Sequence, residues 1–170
     1  MHVGMSVIFQ NPGERVPDQQ VYQQDLALAL QAEGLGFDSV WSVEHHFTSY
    51  TMCPDVLQFL TYMAGATKSI QLGSMVCVLP WHDPLRVIEQ ISMLDNLSDG
   101  RLILGLGRGT GKVEFDGFRS EMSSARQRFK ESTEMVLNAI ENGYAEYHGD
   151  VIEQPRVDIR PRPIKSMRGR

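Results

Sequence analysis

Glu44-His45-His46-Phe47 places a carboxylate and two imidazoles in consecutive positions. Imidazole exchanges protons near neutral pH, so the cluster suits general acid–base work. Neighbouring side chains on an extended segment point to opposite faces, so only one of His45 and His46 can face a given site. This disfavours a two-histidine metal centre, and His82-Asp83 adds no recognised ligand spacing. A second cluster is Gly105-Leu106-Gly107-Arg108-Gly109-Thr110-Gly111. Its glycines permit close backbone approach to a ligand and its arginine can clamp phosphate, although the spacing is not G-x-G-x-x-G. Arg126 puts another cation in the first turn of an expected helix, beside amides that favour anions. In Gly73-Ser74-Met75-Val76, small residues meet an apolar strand, a pattern that ordinary core packing also explains.

The surrounding sequence says which elements carry these residues. Val3 to Phe9 is an apolar run that predicts a first strand, closed by Asn11-Pro12-Gly13. Tyr22, Leu26, Ala29 and Leu30 then keep helical spacing until Gly34 and Gly36. Ser39 to Glu44 predicts a second strand, which delivers the histidines to its C-terminal end. Asp55 caps a helix with the stripe Val56, Phe59, Leu60, Met63 and Ala64. Leu72 to Leu79 predicts a third strand, apolar enough to be buried on both faces. Asp83-Pro84 opens a helix with inward Val87, Ile88, Ile91 and Leu94, ended by Asp99-Gly100. Leu102 to Leu106 is the fourth strand. Ser124 and Gln127 have capping-box spacing before a helix with Phe129, Thr133, Val136 and Ile140, and Tyr147-His148-Gly149-Asp150 suggests a hairpin.

Strand starts near positions 3, 39, 72 and 101 recur at intervals of 36, 33 and 29 residues, the rhythm of parallel βα units. A complete eight-unit barrel takes about 250 residues, so residues 1–170, expected to form a single domain, hold about half of one. An open doubly wound sheet would suit the same length. The net charge of -5 is spread without a basic stripe, which argues against nucleic-acid partners. No apolar run approaches the roughly 18 residues of a membrane span, and Met1-His2-Val3-Gly4 lacks a secretory signal, so a cytoplasmic location is expected. Cys53 and Cys77 are far apart and read as reduced thiols, with Cys77 in the core.

Four segments in order resemble the N-terminal half of the bacterial luciferase-like flavin-dependent monooxygenase family. They are Gly36-Phe37-Asp38-Ser39-Val40-Trp41, Glu44-His45-His46-Phe47, Leu72-Gly73-Ser74 through Val78-Leu79-Pro80, and Leu94-Asp95 through Asp99-Gly100-Arg101 with Gly105. The resemblance implies an α/β fold of the parallel (β/α)8 TIM-barrel type, with about the first half present. It implies reduced FMN and oxygen acting through a peroxyflavin on a small organic substrate such as an aldehyde. Electrons would come from a separate flavin reductase or NAD(P)H, and the protein would be a homo- or hetero-dimer. It further implies His45 as the active-site acid/base, and Met75-Val76 as a non-prolyl cis peptide beneath the flavin ring. Gly107 would lie near the flavin, and Arg108 and Arg126 would hold its phosphate. No metal is implied. Luciferase has a reactive cysteine where Gly107 stands, so light emission is not carried over. A non-catalytic flavin-binding or partner subunit and a deazaflavin-dependent hydride-transfer enzyme are the alternatives. Half a barrel would leave its outer strands unpaired and Val76, Val78 and Leu104 without an opposite wall, so a chain that is either oligomeric or poorly folded, and that binds flavin weakly, is expected.

Overall fold

The computed structural model describes residues 1–169, which group into two compact units. Met1–Cys77 and Arg101–Gly105 form the first, and Val78–Gly100 with the chain from Leu106 onward forms the second. No helix among the described residues is long and apolar enough to cross a membrane.

The first unit alternates β1 (Gly4–Val7), α1 (Asp18–Gln31), β2 (Ser39–Ser42), α2 (Val56–Ala66) and β3 (Gln71–Ser74). After a two-residue strand β4 (Cys77–Val78), the chain returns to this unit with β5 (Leu102–Ile103). The sheet order is β1-β2-β3-β5, and every pair is parallel, with Gly4 opposite Ser39, Ser39 opposite Gln71, and Leu72 opposite Leu102. The expected parallel βα rhythm is therefore present. The third strand is shorter than expected: its ladder stops at Ser74, and the following Met75-Val76 peptide is cis. Leu79 lies instead in a 3-10 turn with Pro80, which has no amide to donate to a ladder. The expected fourth strand is likewise interrupted, at Leu104-Gly105.

Asp55 caps α2 by accepting from the Gln58 amide at 2.9 Å. Leu60 and Met63 on its inner face are fully buried, each contributing about 1.5–3 kcal/mol. Arg101 closes the other end of α2, donating to the carbonyls of Ala64, Thr67 and Ile70 and to the Thr67 hydroxyl. Glu33 anchors the turn before β3 by accepting from the amides of Lys68, Ser69 and Ile70. Those donors hold its carboxyl down at about 2. On α1 the buried positions are Val21 and Ala29, whereas Leu30 faces solvent, a rotation from the stripe expected there.

The second unit contains α3 (Pro84–Leu97), β6 (Leu106–Gly107), α4 (Lys112–Gly117), α5 (Ala125–Asn142) and an antiparallel hairpin of β7 (Tyr144–His148) and β8 (Glu153–Asp158). Asp83 caps α3 through the Leu85 and Arg86 amides at 2.8 and 3.4 Å, and Pro84 takes the first helical position. Val87, Ile88, Ile91 and Leu94 are fully buried, as the spacing predicts. The capping box is not formed. Ser124 has helical dihedrals and donates to the Glu121 carbonyl, while Gln127 donates to Glu131 at 2.7 Å. Glu131 in turn accepts from the amides of Asp150, Val151 and Ile152, tying the hairpin tip to α5. Burial pushes the Glu131 pKa up, but Gln127 and the three amides outweigh it and the net shift is downward. This anchoring turns Ser132, Met135, Val136 and Ala139 inward and leaves Phe129 and Thr133 half-buried. Val78 is buried, against expectation, while Val76 and Leu104 are half-exposed.

Candidate active site

The histidine cluster follows β2 at its C-terminal end, where barrel enzymes place reacting side chains. Burial alternates from Ser42 through His46, the signature of an extended segment with two unlike faces. Glu44 and His46, two positions apart, share the inner face and meet there, with His46 Nε2 3.0 Å from Glu44 Oε1. His45 lies on the other face, half-exposed, with its amide donating to the Cys53 carbonyl at 3.0 Å and its ring edge-to-face with Tyr50. Both imidazoles border a cleft of about 860 Å³ whose walls include Arg15, Tyr22, Phe47 and Met52. The Tyr22 hydroxyl donates to the Met52 carbonyl, and burial raises its pKa. Cys53 and Cys77 are free and buried. Burial pushes the Cys53 thiol up to about 11 and that of Cys77 upward too, so neither supplies a nucleophilic thiolate near neutral pH.

Met75 and Val76 follow β3 at the same edge of the parallel sheet, because β2 and β3 run side by side. Their peptide is cis, as the family resemblance implies. Met75 is exposed and Val76 half-buried. Gly73, just before them, has a packing reason: a Cβ there would collide with the Trp41 ring. The first unit thus holds His45, Met75 and Val76.

Gly107, Arg108 and Arg126 belong to the second unit. Gly107 ends β6, half-buried Arg108 follows it, and exposed Arg126 lies in the first turn of α5. No ion pair engages either arginine among the described residues. Because Ser124 turns back to Glu121, its side chain leaves the first-turn amides of α5 uncapped. A guanidinium group and such amides are each donors suited to phosphate. The glycine-rich run also answers local packing. Gly109 has φ +73, and a Cβ there would press on Val78 and Trp81. Asp83, weighed above as a metal ligand, is committed to capping α3.

The sequence reading gave Glu44 no task of its own. The signal for it was the i, i+2 spacing in an extended segment, which brings Glu44 and His46 to one face. It also omitted α4, where Phe115 packs edge-to-face on Trp81.

A family model for luciferase-like monooxygenases matches residues 1–167. The alkanal monooxygenase alpha chain of Photobacterium leiognathi is 33% identical over 153 residues, 90% of this chain and 43% of that protein. The crystal structure of monooxygenase RslO1 from Streptomyces bottropensis superposes with a TM-score of 0.90 at 31% identity, covering 97% of this chain and 50% of that one. Two more distant structures share the fold alone. The oxygenating constituent of 3,6-diketocamphane monooxygenase from Pseudomonas putida, in complex with FMN, has a TM-score of 0.80 at 20% identity over 91% of this chain and 44% of its own. The coenzyme F420 dependent tetrahydromethanopterin reductase from Methanopyrus kandleri has a TM-score of 0.70 at 23% identity over 98% and 48%. This chain therefore spans about half the length of the proteins it matches.

Proposed function

The chain belongs to the luciferase-like monooxygenase family, and from that premise we propose that it is the flavin-binding, proton-handling part of an FMN-dependent monooxygenase that oxidises a small organic substrate. The observation that carries the reading is that both imidazoles line the cleft while the buried His46 is held against Glu44 at 3.0 Å and the half-exposed His45 presents an imidazole suited to moving a proton. In the first unit, Met75 and Val76 provide the surface for the flavin ring. Arg108 and Arg126 keep the phosphate-holding role, and Gly107 the place near the flavin, that the family resemblance implies for them. Reduced FMN, when bound, supplies the two electrons that let oxygen act on the substrate, while the protein orients it and excludes water. The assembly is a dimer, and a separate reductase or NAD(P)H restores the reduced flavin.

For an aldehyde the balance is RCHO + O2 + FMNH2 giving RCOOH + H2O + FMN. The test is oxygen uptake and carboxylic acid formation on adding reduced FMN and an aldehyde series to the protein. The reading expects acid in proportion to oxygen consumed in excess of free-flavin autoxidation. Flavin binding without acid favours a partner subunit, and reduction of a substrate by a reduced deazaflavin without oxygen favours the hydride-transfer alternative.

A further inference from the structure

The segment on which the flavin ring is proposed to lie is braced by groups to which that reading gives no task. The buried Ser74 hydroxyl donates to the Gly105 carbonyl and accepts from the Gly105 amide, both at 2.9 Å. One hydroxyl thereby satisfies both backbone groups of a residue that lies just past the end of β5, beyond the strand ladder. The same Gly105 carbonyl accepts from the Cys77 amide at 2.9 Å, and the Met75 amide donates to the Ser42 carbonyl at 2.7 Å. Ser42 is itself fixed, buried with its hydroxyl donating to the Val7 carbonyl at 2.6 Å. The backbone is thus tied down on both sides of Met75-Val76, while the Met75 side chain remains 46% exposed. Gly105 admits no side chain, because a Cβ would run into the Ser74 carbonyl oxygen, a backbone atom that cannot swing away.

We infer that Ser74 and Gly105 are positioning residues for flavin: the Ser74 hydroxyl, held by both backbone groups of Gly105, sets the height and tilt of the Met75-Val76 platform and so the fit of the isoalloxazine ring. This rests on the flavin reading above. A hydroxyl serving only to fill space would be replaceable by a methyl group. Here its removal leaves the half-buried Gly105 amide without its acceptor and the Gly105 carbonyl with the Cys77 amide alone, and the platform moves with them.

The test titrates the full chain and its S74A and S74T variants with riboflavin, which carries the ring without phosphate, following affinity and the visible spectrum of the bound flavin. S74A is expected to weaken riboflavin by about tenfold or more and to shift the bound spectrum. S74T, which keeps the hydroxyl, restores both. Cooperative melts identify folded variants, and should S74A lose its melt, S74C, with a weak donor of similar size, takes its place in the comparison. Wild-type affinity and spectrum in S74A, or an equal loss in S74T, would overturn the inference alone. Absence of flavin binding by the wild-type chain would overturn the flavin reading and this inference with it.

Discussion

Two adjacent imidazoles are set apart by what lies on either side of them. Glu44 holds the buried His46, and alternation along the extended segment after β2 leaves His45 half-exposed on the opposite face, with both rings bordering the cleft. His45→Ala should lower turnover by about 10²–10⁴-fold, the usual worth of a positioned acid/base, with flavin affinity unchanged. Steady-state oxygen uptake with a parallel flavin titration checks both halves, and undiminished turnover would remove His45 from the chemistry. Glu44→Ala should act on stability first, because it takes a carboxylate acceptor from a buried imidazole. A loss of about 1–3 kcal/mol in denaturant unfolding is expected, and an unchanged midpoint would mean that the pair contributes nothing to the fold. That His45 and His46 point to opposite faces was legible from alternation along an extended segment. Which face was buried was not, because that depends on packing from distant residues such as Cys53, whose carbonyl holds the His45 amide.

Among the elements, α2 and α3 were legible nearly residue by residue, because an aspartate cap and an apolar stripe agree in each. The errors fall where a long-range partner overrides a local signal. Ser74 takes the backbone groups of Gly105 out of a continuous fourth strand, and Glu131, bound to the distant amides of Asp150, Val151 and Ile152, draws Gln127 away from a capping box. The two cap positions give a paired prediction. Asp83→Ala should destabilise by about 1 kcal/mol, seen as a lower melting temperature, whereas Ser124→Ala, with no cap bond to lose, should leave it nearly unchanged. Equal effects would contradict the assigned caps. Glu33 adds a pH dependence to the turn before β3. Its folded pKa, about 2, lies below the ordinary 4.5, so its stabilisation is fully present above pH 4.5 and is lost as pH falls toward 2. The melting-temperature difference between the native chain and Glu33→Gln should shrink across that window. A constant difference would deny the carboxylate its anchoring role.

For the molecule as a whole, the parallel βα rhythm and the match over residues 1–167 agree on a luciferase-like fold. The family resemblance supplied the roles of the candidate residues, whereas composition and spacing supplied their positions on loops after strands and at a helix start. No periodicity in this sequence specifies an organic substrate, since substrate choice depends on pocket shape rather than on the repeat that builds the scaffold. The central claim is that the chain recognises flavin mononucleotide, with cations holding its phosphate. Calorimetric titration with FMN and riboflavin, repeated for Arg126→Ala, tests it most directly. The account predicts that FMN binds at least about tenfold tighter than riboflavin, as a charge-assisted phosphate contact would confer, and that Arg126→Ala removes most of that difference without changing riboflavin affinity. Equal affinity for the two ligands, or no binding of FMN, would contradict it.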